Sequence, residues 1–406
     1  MSSQSVSKGT LSGFPLKADS LSLLFVHFVI DTKFMTAIRF NYLLQYFFIV
    51  GCFLLSLDQK VVAQSDSLEI SNVKKRGKFV AFPLVFYSPE TSVAFGGAGA
   101  YTFHWKEQSL DANPSQLRFV VTYTLENQLL LYAPFKFYFG DNDYYVFGEA
   151  GYFKYLYDYF GIGPNTKSEN EESYQTVYPR FGLNITKRIN KHIFLGVGQR
   201  FDKFQMKEID PDGEIITGIT GSEGGATSGL GFVVIIDSRD QIFYPRNGWF
   251  GDIGWMKHDK GIGSDFNYSA FQIDLSKYFP IAETSVFALN LAGRHTYGET
   301  PFYHLALHGG GSDARGYQDG RFRDRTMATL NAEYRGHLKG RFGGVVFANV
   351  GAVADGPKNF SVGDLLPAVG VGLRYQIDKE NKLNIRGDIG IGTEGVQFYV
   401  TIGEAF

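Results

Sequence analysis

The sequence predicts an all-β chain folded as a single transmembrane antiparallel β-barrel of about 16 strands, on three observations. The first is composition. Aromatic residues make up 16% of the 406 residues, with 38 Phe and 24 Tyr beside 48 Gly, yet charged residues still reach 20% and mean hydropathy is −0.11. A barrel alternates lipid-facing apolar with lumen-facing polar residues, so its mean hydropathy stays near neutral while its aromatics gather at the interfaces. The second is the lack of helical spans: these need runs of about 20 apolar residues, and only Tyr42 to Leu57 approaches that length. The third is a period of two, sustained from about Lys78 to Phe406, the mark of strands with two unlike faces.

In chain order, residues 1–34 read as an upstream extension or a mis-called start, and residues 35–63 as a secretory signal peptide. Arg39 supplies its positive region, Tyr42 to Leu57 its apolar region, and Val61-Val62-Ala63 a small-residue cleavage site. The only cysteine, Cys52, lies in the apolar region. Ile49-Val50-Gly51-Cys52 has the form of a lipoprotein box, but Phe53-Leu54-Leu55 continues the apolar run where a lipoprotein would turn polar. Residues 64–79 are expected to be a short periplasmic N-terminal segment before the barrel, which is expected over 80–406.

Strands are expected near 80–87, 92–104, 116–124, 128–139, 143–155, 174–187, 191–205, 228–236, 249–257, 265–278, 284–296, 327–337, 342–353, 367–376, 382–390 and 396–405. Short connections such as Gly140-Asp141 and Lys339-Gly340 alternate with long ones, 156–173, 206–227, 297–326 and 354–366. The late strands alternate most clearly. Leu330 and Tyr334 oppose Asn331, Glu333 and Arg335; Ile385 and Ile389 oppose Arg386 and Asp388. In the last strand Phe398 and Val400 share a face, and Phe406 is expected to extend that face toward lipid as an assembly signal.

One connection stands apart. Gly309-Gly310-Gly311-Ser312-Asp313-Ala314-Arg315-Gly316-Tyr317 and the charged run through Arg325 are too long and too charged for an ordinary turn, which is two to five residues. The stretch resembles the arginine-glycine-aromatic motif in the sixth extracellular loop of the BamA/TamA (bacterial surface antigen) superfamily of outer-membrane barrels. Asp237-Ser238-Arg239 with Pro245 and Gly248 is similar to that family's Asp-x-Arg…Pro-x-x-Gly periplasmic turn, and Phe160 to Thr166 and the terminal Phe406 also fit.

The resemblance implies that the Arg315, Gly316, Tyr317 loop folds into the lumen and that inward acids on the next two strands pair with Arg315. Glu333 matches the first acid. Asn349 stands where the family usually has aspartate, so a neutral acceptor replaces one charge unless Asp388 or another inward acid substitutes. On that reading Asn349→Asp should tighten the loop, and Arg315→Ala combined with Glu333→Ala should be no worse than either alone. The resemblance further implies an outer-membrane location and a role in membrane-protein assembly or translocation. Partners would be lipid, unfolded outer-membrane protein clients, or a separate periplasmic protein. The interval between Gln64 and the first strand is too short for even one periplasmic POTRA domain. A passive or gated pore for small solutes, or a scaffold barrel, are the alternatives.

Other motifs carry less. Arg386-Gly387-Asp388 has the form of an adhesion tripeptide, but the strand period turns both charges inward. Asp210-Pro211-Asp212-Gly213-Glu214 lacks the full calcium-loop pattern, and Gly96-Gly97-Ala98-Gly99 has no following helix to make a phosphate site. No metal spacing, cofactor motif or catalytic constellation emerges, so no enzyme is expected. The net charge of −2 gives no electrostatic case for nucleic acid.

Overall fold

The computed structural model describes residues 77–88, 92–106, 108–109, 112–378 and 382–406. The upstream extension, the signal peptide with Cys52, most of the 64–79 segment and the 379–381 turn lie outside the described residues. The wall begins with β1 (Gly77–Ser88), β2 (Ser92–Phe103), β3 (Ser115–Thr124), β4 (Leu129–Phe139), β5 (Tyr144–Tyr159), β6 (Glu172–Asn190), β7 (Ile193–Ile209) and β8 (Gly225–Asp237). It continues with β9 (Gly248–His258), β10 (Tyr268–Ala282), β11 (Ser285–Gly298), β14 (Thr326–Lys339), β15 (Phe342–Ala354), β16 (Leu366–Asp378), β17 (Leu383–Gly392) and β18 (Gly395–Ile402). These form one 16-stranded sheet in sequence order, every neighbour antiparallel. The first strand starts at Gly77, three positions before the expected boundary at 80, because Gly77 to Phe79 already pair with Tyr101 to Phe103. β12 (Ala306–His308) and β13 (Phe322–Asp324) pair only with each other, inside the long connection between β11 and β14.

Alternation sets the two faces. Along β14, Thr329, Asn331, Glu333 and Arg335 are buried while Leu330 and Tyr334 are exposed. Phe232, Val346, Val369 and Val371, each more than half exposed, belong to the same outward apolar surface. Such a surface is stable against hydrocarbon, where the ladder satisfies the backbone polar groups. The opposite face encloses a common interior. Phe406, beyond β18, packs in one cluster with Tyr145 and Phe147 of β5, Val233 and Ile235 of β8 and Tyr278 of β10. Contacts between elements so far apart in the sheet order require the sheet to curl around a lumen, as a barrel does.

The end of the chain departs from expectation. Phe398 and Val400 do lie on the outer, less buried side of β18 and Tyr399 and Thr401 on the inner one. At Gly403, however, φ is +89°, and the strand register breaks there. Glu404, Ala405 and Phe406 then turn inward and are all buried, so Phe406 faces the lumen rather than lipid.

Candidate functional site: a loop seated in the lumen

Between its exposed ends, Glu299 and Arg325, the connection lies inside the barrel. Pro301 to Ser312 are buried without a break, and Arg315 and Tyr317 are fully buried. Burying a guanidinium is costly unless it is paired and hydrogen-bonded. Arg315 meets that demand with two carboxylates: its Nη2 pairs with Glu333 of β14, and its Nη1 donates to Asp388 Oδ2 of β17 at 2.9 Å. The guanidinium also covers the Phe347 ring of β15, 3.6 Å from its centroid. The second acid is thus Asp388 and not a residue of β15. In-register pairing of Glu333 with Phe347 places the aromatic ring beside Glu333.

Asn349 is in the site with a different task from the one expected. Its Nδ2 donates to the backbone carbonyl of Arg315 at 2.8 Å and so does not accept from the guanidinium. It is one of a series. Arg386 Nη2 donates to Gly311 O at 2.7 Å and Asn331 Nδ2 to Asp313 O at 3.0 Å. Three alternate carbonyls of the loop, those of 311, 313 and 315, are therefore held by three donors from the wall. Arg294 adds an ion pair to Asp313 at 2.8 Å.

At Gly316 the chain meets the wall backbone to backbone. Its φ is +110°, and a Cβ there would sit 2.6 Å from Ala368 Cβ. A Cβ on Gly390 would lie 2.7 Å from Gly316 N, and one on Gly392 2.7 Å from Gly316 O. Tyr317 then packs with Phe322, Met327, Val353 and Leu366 and donates to Pro367 O at 2.7 Å. Arg-Gly-Tyr is accordingly a charge, a backbone contact and a hydroxyl, each with its own receiver.

The ion pairs extend beyond the motif. Glu333 also accepts from Arg335 at 2.7 Å, and Arg335 Nη2 donates to Phe406 O at 2.9 Å. Asp388 is shared with Arg374 and Arg386, and Arg374 Nε reaches Glu404 Oε2 at 2.8 Å. Four buried arginines and three acids thus connect the loop tip to the inward-turned tail.

A second anchor lies across the lumen, and sequence reasoning did not find it. The short 3-10 turn Phe302–His304 rests on Tyr159, Tyr174 and Phe204. His304 Nδ1 is 2.6 Å from the Tyr268 hydroxyl, and its Nε2 lies 3.6 Å from Asp202. Asp202 in turn pairs with Arg180 at 2.5 Å and Arg200 at 3.2 Å. Inward period-two positions on β5, β6 and β7 carry Glu149, Arg180, Arg200 and Asp202, the signal that could have found it.

The return arm of the loop is tied to the end of β5 and the connection after it. Gly163 N donates to Arg323 O at 2.8 Å, Arg321 donates to Thr166 at 2.8 and 2.9 Å, and Gln318 reaches Asp158 at 3.0 Å. Phe160 to Thr166, singled out in the sequence, is thus a docking strip for the loop. At the opposite end of the barrel, Arg239 clasps Asp237 at 2.6 and 3.0 Å and lies over Phe250. Pro245 is buried beside this turn, and Gly248, with φ +105°, leaves no room for a Cβ against Ser238 O. Asp237, Arg239, Pro245 and Gly248 form a closed turn. The Asp210 carboxylate accepts from the Asp212 amide at 3.0 Å, an ordinary side-chain turn.

A 16-stranded barrel with apolar outer face, polar lumen and an arginine-anchored loop folded within it defines the class: a plugged barrel of outer-membrane type. The Omp85 superfamily domain matches residues 108–406, and the chain belongs to that superfamily. Similar solved structures include BamA from Haemophilus ducreyi lacking POTRA domains 1-3 (14% identity, TM-score 0.56, 81% of this chain and 70% of that one). CdiB from Escherichia coli (9%, TM-score 0.54, covering 82% and 63%) and CdiB from Acinetobacter baumannii (13%, TM-score 0.50, covering 81% and 60%) are also similar. The chain spans less than two thirds of either CdiB chain. Comparison with curated proteins finds no match.

Proposed function

We propose that this chain is an outer-membrane barrel that assists the insertion or translocation of other proteins, with its lumen held shut by the 299–325 loop until a client engages. The observation that carries the reading is Arg315 fixed between Glu333 and Asp388, with Gly316 pressed on the wall. A barrel serving as a permanent solute channel gains nothing from filling its lumen with a loop bonded on both sides. A barrel acting on polypeptide substrates needs its lumen sealed between events. Family membership and the likeness in fold to BamA and CdiB support the same class of work. Lipid covers the apolar face, and clients would be unfolded outer-membrane proteins, delivered with the help of a separate periplasmic partner.

The test reconstitutes the purified protein in liposomes and measures both folding of an unfolded outer-membrane protein and single-channel current. Accelerated client folding with rare, brief openings is expected. A large steady current with no acceleration would replace the proposal with a solute pore.

A further inference from the structure

Three strands of the wall repeat one outward pattern. On β5, β7 and β9, Tyr152 precedes Lys154, Phe201 precedes Lys203 and Trp255 precedes Lys257, each by two residues, with a buried inward residue between them. A step of two keeps both members on one face. The register carries the aromatics around the outside as a belt. Phe201 is opposite Phe181 on β6, and Trp255 is opposite both Phe232 on β8 and Phe271 on β10. The lysines stand one step nearer the loop end, just outside the second anchor. Lys203 adjoins Asp202, which faces His304, and Lys257 adjoins His258, whose ring stacks on Tyr268.

Their height fits a membrane boundary. Tyr144 and Trp249 mark the opposite rim, and Lys154 and Lys257 follow them by ten and eight residues. At about 3.4 Å per residue in strands tilted by about 40°, that is a rise of about 20 to 26 Å, the height of an apolar band of about 25 Å. The lysines therefore stand where hydrocarbon gives way to headgroups.

Their charge is also uncompensated. At the opposite rim Lys187 lies 5.9 Å from the centre of the Tyr144 ring and Lys277 4.9 Å from that of Trp249. Among the described residues, Lys154, Lys203 and Lys257 have neither an ion pair nor a ring contact. The residues paired opposite them, Leu129, Val177, Ala226, Leu230 and Ser269, are uncharged. The row is confined to one side of the barrel: β15 has no lysine or arginine, and Arg374 of β16 and Arg386 of β17 belong to the lumen ion pairs.

We propose that the outer face of β5 to β9 binds a glycolipid of the outer leaflet that carries more than one phosphate. Lys154, Lys203 and Lys257 take the phosphates, and the aromatic belt below takes the acyl chains. Charge complementarity selects the occupant, because the cations form a row at headgroup height on the end of the barrel that holds the loop. Successive lysines are two strand spacings apart, about 10 Å, which favours a headgroup with separated phosphates over one with a single phosphate. The inference rests on the reading of the chain as an outer-membrane barrel with its loop end outward, and it adds a lipid partner that is independent of the loop's hold in the lumen.

The test measures, by native mass spectrometry, binding of bis-phosphorylated lipid A and of phosphatidylglycerol to the purified full chain in neutral detergent. Lipid A should bind the more tightly. Each lysine near an anionic surface is worth roughly fivefold, so Lys154→Gln, Lys203→Gln and Lys257→Gln together should weaken lipid A binding by roughly twentyfold or more. Lys203→Gln alone should weaken it about fivefold, which keeps the test decisive if the triple variant does not fold. Lys154→Arg, Lys203→Arg and Lys257→Arg together should retain binding, and so should Lys187→Gln with Lys277→Gln at the opposite rim. Lipid A binding unchanged in the neutral variants, or weakened equally by the opposite-rim pair, overturns the inference. Equal binding of the two lipids also overturns it, as a general attraction for anions. Heat-modifiable gel migration checks that each variant is folded, and a wild-type chain without it would overturn the barrel reading itself.

Discussion

The amide of Asn349 donates to the backbone carbonyl of Arg315 at 2.8 Å, while the carboxylates of Glu333 and Asp388 hold its guanidinium. Side chain and main chain of one arginine are thus gripped separately. Only a donor suits the second grip, which accounts for asparagine at a position where an acid would leave two acceptors facing each other.

Asn349→Asp should therefore loosen the loop, reversing the expectation from sequence. A lost buried hydrogen bond costs about 1 kcal/mol, and an uncompensated carboxylate adds to it. Labelling of a cysteine at Ser312 should rise at least fivefold, with Asn349→Ala milder. Slower labelling in Asn349→Asp would show the acid pairing with the guanidinium after all.

Glu333→Ala should be worse than Arg315→Ala, and the double variant should differ from both singles. Glu333 serves Arg335 as well as Arg315, and Arg315 keeps Asp388 when Glu333 is lost. Shared partners produce non-additive energies, here expected at about 1 kcal/mol of coupling. Heat-modifiable gel migration across the cycle supplies the numbers, and a double variant indistinguishable from either single would mean an isolated pair.

Gly390→Ala should unseat the loop without touching any charge, because the added Cβ would meet Gly316 N at 2.7 Å. Gly387→Ala, three positions away with nothing within 4 Å of its Cβ, is the matched control. Protease cleavage within 309–317 should increase in the first and not in the second; equal cleavage in both would argue that the tip has room to spare.

Phe406→Ala should lower the temperature at which the folded form converts on gels. Loss of a buried phenylalanine costs about 3 kcal/mol or more, and here it also empties the contact beneath Arg335. An unchanged conversion temperature would place the ring outside the lumen cluster.

The strand count and the two faces could be read from the sequence because period two is a local property, whereas the loop's place in the lumen was implied only by the resemblance of its motif. The first charge partner, Glu333, could be read by motif. Asp388 was visible as an inward acid, but choosing it over β15 required knowing that Phe347 occupies the space beside Glu333, a matter of register across strands. The inward turn of Phe406 was hidden because one positive-φ glycine, Gly403, ends an otherwise perfect alternation. The second anchor was legible in principle: Arg180, Arg200 and Asp202 alternate inward, but no turn or glycine cluster marks them. His304 joins them only through the path of the loop.

The central claim is that Arg315 holds its loop inside the lumen, and maleimide labelling of Ser312→Cys in intact cells, in the Cys52→Ser chain, tests it most directly. Ser312 is buried, so labelling should be slow in the otherwise native chain. With Arg315→Ala it should quicken by at least tenfold, the loss of a charge-assisted contact of about 1.5 to 3 kcal/mol. Rapid and equal labelling in both chains would contradict the account and place the loop on the outside of the barrel.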